Sequence, residues 1–451
     1  MVATPERPGS DGGDGATAPG VAARRKRNPW WIPPFLGSVP DVPPEQLRML
    51  GLVALALFFE QYDFSMLGAA WPRIRQDLGI PESQWGFALG LIRAGALPAF
   101  AIVAFADRIG RRRLFLGSVV AISLVTMLTA FARNVVEFVV LQMVARAFMI
   151  AGMSVAFVIV TEEFPAEHRG WGVGMLGALG ACGVGLGTGL FAAVDVLPFG
   201  WRALYAVGVL PLVLLPKFRR DVKETRRFAG LREDIPDARV TLRSILTDFV
   251  APFLRIARNR PGRLALVAGI GFLSTFGMVC VFQFASTQAL DVHGWKPWQF
   301  ALMVFIGGGI GIIGNPVAGR LGDVVGRRVV GAVAMFALPI FAAGYYLGPA
   351  WALPIAWSGL VFANSATSTI ARVFATELFP TQDRGTASGL NAFFEVLGAT
   401  LGLWVLGLGT QTPGNLPLVT TLLAVTVALG GVLMLFLPET RQRELEAISG
   451  E

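Results

Sequence analysis

The run Ala106-Asp107-Arg108-Ile109-Gly110-Arg111-Arg112 has a second copy 216 residues further on, in Asp323, Gly326, Arg327 and Arg328. Another motif keeps nearly the same offset: Thr161, Glu162, Phe164, Pro165, Arg169 and Gly170 recur 215 residues later as Thr376, Glu377, Phe379, Pro380, Arg384 and Gly385. Two motifs at one spacing mark a duplicated structural unit. Each copy follows a long apolar run, which identifies the kind of unit.

Apolar runs of roughly 20 residues, enough to cross a ~30 Å hydrocarbon core at about 1.5 Å per residue, cover most of the chain. Twelve are counted, near residues 49 to 70, 84 to 106, 114 to 132, 135 to 161, 171 to 193, 201 to 216, 265 to 290, 298 to 318, 329 to 347, 351 to 376, 386 to 409 and 416 to 437. Of the 451 residues 54% are apolar and 15% charged, a balance that argues against a soluble fold. The expected fold is an all-α membrane protein with twelve transmembrane helices in two pseudo-symmetric six-helix bundles. Its expected divisions are a disordered cytoplasmic tail over 1–46, a first bundle over 47–216, a basic cytoplasmic loop over 217–263, a second bundle over 264–438, and a tail over 439–451.

The net charge of +8 raises the question of nucleic acid, and the placement of the basic residues answers it. About 30 of the 38 Lys and Arg fall in loops on one side of the apolar spans, while Arg73, Arg75, Arg133, Arg202 and Lys296 fall on the other. This is the positive-inside asymmetry of an inner (cell) membrane protein with both termini in the cytoplasm. No nucleic-acid partner is expected; the partners are the lipid bilayer and a small solute. The first tail lacks the apolar core of a cleaved signal peptide. Its Trp30, Trp31 and Phe35, beside Arg24 to Arg27, either rest at the membrane surface or belong to a floppy tail. In the long loop, Leu242, Ile245, Phe249, Phe253 and Ile256 recur at helical intervals between Thr241 and Arg258, the pattern of an amphipathic helix on an anionic leaflet or of a plain connector. Cys182 and Cys280 both lie within spans and read as packing residues.

Ionisable groups inside a span are costly and therefore mark function. The first half carries Glu60 and Asp63 on one face of the first span, Arg93 in the second and Arg146 in the fourth. Counting from the nearest basic-side charge, Asp63 lies ~22 Å deep and Arg146 ~24 Å, while Glu60 lies ~18 Å and Arg93 ~21 Å. The heights suggest two acid–base pairs, Asp63 with Arg146 and Glu60 with Arg93. A carboxylate tuned by desolvation and by a neighbouring guanidinium loads and releases a proton as its cavity opens. Both histidines lie in loops, so the expected intramembrane proton carrier is Asp63 first and Glu60 second; static buried salt bridges are the alternative.

The second half lacks these charges; position 279 is Val279. Candidates there for contact with a solute are Gln283 and Gln288 in the seventh span, Asn364 in the tenth, and Asn391 and Glu395 in the eleventh. The duplicated motifs suit a cytoplasmic gate formed by Asp107, Arg108, Gly110, Arg111, Arg112, Glu162 and Arg169 with Asp323, Gly326, Arg327, Arg328, Glu377 and Arg384; Glu162–Arg169 and Glu377–Arg384 are the expected inter-helix pairs. Arg372, ~8 Å from Glu377 in depth, is placed with that gate. The alternative is that these arginines serve membrane topology alone.

The motif Ala106-Asp107-Arg108-Ile109-Gly110-Arg111-Arg112 is similar to the core of the Gly-x-x-x-Asp-Arg-x-Gly-Arg-Arg signature of the major facilitator superfamily, and the resemblance runs over residues 48 to 440. Val103 stands where that signature begins with Gly, which the second copy keeps as Gly319. The resemblance implies two six-helix bundles that rock about a central cavity. The run Glu60-x-Tyr62-Asp63-Phe64 resembles metabolite/proton and aromatic-acid/proton symporters. In sugar/proton relatives a first-span Asp works with a fourth-span Arg, a role that falls here on Asp63 and Arg146; the ending Pro438-Glu439-Thr440 also resembles sugar porters. The Gly-Pro motif of proton-coupled exporters is absent from the fifth span, so uptake is expected. The expected function is proton-coupled uptake of a small organic acid by alternating access. Export of a drug or secondary metabolite, sugar/proton symport and a non-transporting sensor are the alternatives. No nucleophile with its base, metal-ligand cluster or phosphate loop appears, so neither an enzyme nor a cofactor or metal is expected, and the resemblance implies a monomer.

Overall fold

A computed structural model describes residues 29, 31–32, 39–104, 110–165, 167–222, 254–380 and 383–441. Asp107 and Arg108, nearly all of the first tail, residues 241–253 of the expected amphipathic helix, and residues 442–451 lie outside the described residues. The chain divides into two compact units, Met1–Val42 and Pro43–Glu451, and every helix below belongs to the second.

Twelve long helices follow one another: α1 Pro44–Ala69, α2 Glu82–Val103, α3 Arg111–Thr129, α4 Val135–Glu163, α5 Arg169–Phe191, α6 Trp201–Asp221, α7 Pro261–Val292, α8 Pro297–Val324, α9 Arg327–Tyr346, α10 Leu353–Glu377, α11 Arg384–Gly409 and α12 Leu416–Leu435. Eleven are long and apolar enough to cross a membrane. The exception, α10, is a 25-residue helix whose hydropathy is lowered by Asn364, Ser365, Thr367, Ser368, Thr369 and Arg372. That polar stripe is the first sign of a cavity beside it. Leu124, Val140, Ile340, Leu422 and Leu429 are exposed on a surface that lipid tails cover without cost.

Packing repeats between the halves. α1 lies on α5 as α7 lies on α11, and α3 lies on α4 as α9 lies on α10. The halves meet through two equivalent pairs, α2 with α11 and α8 with α5, and also through α1 with α7. Every described contact that joins the halves by a polar bond lies at the end opposite the repeated motifs. Arg75 pairs with Asp291 and lies over the Trp85 ring at 4.1 Å. Ser286 Oγ donates to the Gly68 carbonyl at 2.6 Å, and Gln411 Nε2 donates to the Ser83 carbonyl at 3.2 Å. At the centre of this seam a Cβ added to Gly86 of α2 would collide with the Leu403 carbonyl and the Gly407 backbone of α11.

The repeated motifs form matching ion pairs, although not those read from sequence. Glu162 pairs with Arg111 at 3.0 Å rather than with Arg169, and Glu377 pairs with Arg327 rather than with Arg384. The reason is geometric: the acid ends one helix and faces the arginine that begins the helix packed beside it, while Arg169 and Arg384 begin the next helix along. Arg384 Nε instead donates to the Phe379 carbonyl at 3.2 Å. Arg327 also pairs with Asp323 at 3.2 Å, and Arg112 Nε donates to the Val222 carbonyl beyond α6 at 2.6 Å.

Gly110 and Gly326 precede α3 and α9 with φ of 105° and 126°, a backbone state closed to other residues without strain. At the second copy the Glu439 carboxylate accepts from the Arg327 N–H at 3.0 Å and the Arg328 N–H at 3.2 Å, capping the positive end of α9. A Cβ on Gly326 would also stand 2.9 Å from Glu439 Oε2. Gly326→Ala is therefore expected to lower stability by about 1–3 kcal/mol, read as an earlier thermal unfolding transition of the purified protein; an unchanged transition would show that the turn relaxes.

Candidate functional site

Phe64 on α1 is 37% exposed, and what it faces is a cavity. That cavity, of about 610 Å³, is lined by Phe64, Arg93, Phe100, Val103, Arg146 and Glu395 among others. Its wall runs from mid-span to Val103 and Gly389, near the repeated motifs. A second space of about 610 Å³ adjoins it, lined by Asn364, Arg372, Asn391, Thr275 and Glu395. Thr275, Ala392 and Glu395 border both.

The first wall carries the basic side chains. The Arg93 guanidinium lies 5.0 Å from the centre of the Phe64 ring and that of Arg146 lies 4.7 Å from it, so the two cations share one aromatic platform. Arg146 Nη1 also donates to Met149 Sδ at 3.6 Å. Behind it, Asp63 is 2% exposed, and Arg146 is the charge with which it interacts most strongly. Neither arginine makes an ion pair among the described residues, and Arg93 Nε has no hydrogen-bond partner.

The height argument therefore places Asp63 and Arg146 together as electrostatic neighbours without a direct ion pair, and it fails for Glu60 with Arg93. Depth alone says nothing of direction around the helix axis. Glu60 turns into its own bundle, where a Cβ on Gly152 of α4 would stand 2.6 Å from Glu60 Oε1 and 3.1 Å from Ser118 Cβ of α3. Both Glu60 carboxylate oxygens are buried without a partner.

The opposite wall holds Glu395, whose Oε1 accepts from Asn391 Nδ2 at 2.7 Å. Asn364, Asn391 and Glu395 thus come together on cavity walls. Gln283 and Gln288 do not line either space: Gln288 Nε2 donates to the Tyr346 carbonyl at 3.0 Å, and Gln283 is buried beside Gly68 at the far end. Arg372, assigned from sequence to the gate, lines the second space and donates from Nε to the Ser368 carbonyl at 3.1 Å. One helical turn separates it from Glu377, and that turn carries it from gate to cavity. Phe64 and Thr275 were missed, because an apolar or hydroxyl residue in a span carries no signal of the direction it faces.

The model of the Major Facilitator Superfamily matches residues 53–402 and 312–450. A gallate transporter of Pseudomonas putida is 27% identical over 447 residues, covering 90% of this chain and 94% of that protein. The 4-hydroxybenzoate transporter PcaK of the same species is 27% identical over 418 residues, covering 86% and 91%. Among solved structures, the inward open conformation of the xylose transporter XylE from E. coli superposes with a TM-score of 0.70 at 18% identity, covering 90% of this chain and 99% of that one. With its duplicated motifs, twelve helices and central cavity, the chain belongs to the Major Facilitator Superfamily and is a membrane transporter of small molecules, not an enzyme.

Proposed function

We propose that the protein takes up a small organic acid, an aromatic carboxylate in the first instance, together with protons. The observation that carries this reading is the pair of guanidiniums on the Phe64 ring, facing a cavity with one coupled carboxylate, Asp63, behind them. On this wall two cations face one anion behind them, and a bound carboxylate neutralises the positive charge left over. Phe64 offers the face on which a ring stacks. The names of the gallate and 4-hydroxybenzoate relatives support the same class of solute.

The geometry supplies a coupling logic. Asp63 and a substrate carboxylate compete for Arg146; a proton on Asp63 releases Arg146 to the substrate, so proton and anion favour each other's binding. Glu60, one turn nearer the motif end, is the second candidate carrier. The basic loops support a cytoplasmic position for that end; on that reading the conformation described, with its far end joined, is the inward-facing one of an alternating-access cycle in which Arg111–Glu162 and Arg327–Glu377 take part in the gate. The protein acts as a monomer of two bundles joined by the 217–263 loop.

Uptake into proteoliposomes under an imposed pH gradient tests the coupling. Asp63→Asn is expected to abolish gradient-driven accumulation while substrate exchange survives, because the neutral amide mimics the loaded carrier. Full accumulation by that variant would remove Asp63 from coupling.

A further inference from the structure

The side of the cavity that faces the two arginines carries one carboxylate, Glu395, with Arg372 in the adjoining space, and the setting of that carboxylate is specific. Among the described residues lining either space, Glu395 is the only carboxylate, and it stands where the two spaces meet. Its position is held from three directions. Asn391 Nδ2 donates to Oε1 at 2.7 Å, and Thr275 Oγ1 on α7 donates to the Glu395 backbone carbonyl at 2.7 Å. Gly271 of α7 leaves the notch in which the pair sits: a Cβ there would stand 2.5 Å from Asn391 Oδ1 and 3.3 Å from Glu395 Cγ. Oε2 receives no protein donor among the described residues.

An ionised carboxylate only accepts hydrogen bonds. Facing a cavity from a fixed position, it rewards a ligand that brings a donor and repels one that brings a second negative charge. We propose that Glu395, oriented by Asn391, recognises the uncharged end of the substrate, so that the transporter selects carboxylates carrying a hydrogen-bond donor such as a ring hydroxyl over the same acids without one. The ligand then lies across the cavity, its carboxylate on Arg93 and Arg146 and its hydroxyl on Glu395. A space of about 610 Å³ is of the size that holds one small ring compound. This selectivity rests on the organic-acid reading above.

The test is binding of benzoate, 3-hydroxybenzoate, 4-hydroxybenzoate and terephthalate to the purified full-length protein, followed by calorimetry. The wild type is expected to prefer at least one hydroxybenzoate over benzoate by about 10- to 100-fold, the range for a hydrogen bond to a charged group, and to bind terephthalate more weakly than benzoate. Glu395→Ala is expected to bring the hydroxyl preference, the ratio of hydroxybenzoate to benzoate affinity, close to one. Glu395→Gln restores part of it, because the amide oxygen still accepts. Should the alanine variant fail to fold, Glu395→Gln and Asn391→Ala carry the test, each with a reduced preference. A wild type that binds benzoate without hydroxyl preference, or a folded Glu395→Ala that keeps the preference, overturns the inference and leaves the organic-acid reading standing. A wild type that binds none of the four acids overturns both.

Discussion

Arg93→Met is expected to weaken binding of the carried anion by about 10²- to 10³-fold, the range for truncating one member of a desolvated charge pair, and to end measurable uptake. Arg93 stands on the cavity wall without an ion pair among the described residues, and on the proposed reading the substrate is its partner. A purely structural arginine predicts the opposite in a second measurement. Removing a guanidinium that has no anion removes a desolvation cost, so the ligand-free variant should unfold at the same temperature as the wild type or higher. Arg93→Lys keeps the charge and loses the planar fork on the Phe64 ring, and is expected to fall between. Unaltered anion affinity in Arg93→Met would refute the assignment.

Gly86→Leu should change which state the transporter occupies. The α2–α11 seam is too close at Gly86 for any side chain, and on the alternating-access reading it belongs to the state whose far end is joined. A leucine there adds steric cost to this state alone. Overpacking costs about 1–3 kcal/mol, enough to change the ratio of the two states by about 5- to 150-fold. Spin labels at the motif end, on Arg113 of α3 and Val329 of α9, are expected to report a shorter separation in the variant as that end closes. An unchanged distance distribution would mean that the seam does not control the equilibrium.

The sequence made the twelve spans, the two halves and the matching motifs legible because each depends on composition and spacing along the chain. The structure adds the caps that begin helices: Asn134 accepts from the Glu137 N–H at 2.9 Å and begins α4. What one sequence does not carry is rotation about the helix axis and choice of neighbour. Glu60 and Arg93 share a height and face different surroundings; Glu162 reached across to Arg111 rather than onward to Arg169. The same limit hid Glu439, which reads as part of a terminal signature and proves to be the cap of α9. Asn364, Asn391 and Glu395 were found because a polar group in an apolar span is informative whichever way it points, and Gln283 and Gln288 were misplaced by the same rule, being polar groups that satisfy backbone or pack at the seam.

The two walls of the cavity come from different halves of the chain. Phe64, Arg93 and Arg146, with Asp63 behind them, lie on the first half, and Asn364, Asn391 and Glu395 on the second. On the proposed roles, the residues that hold the carboxylate and couple it to the proton lie in the first half, and those that read the rest of the cargo lie in the second. Drift in α10 and α11 can retune what is carried while the drive in α1, α2 and α4 stays untouched. Such a division lets one ancestral carrier diversify across a family of nutrients without reinventing its engine.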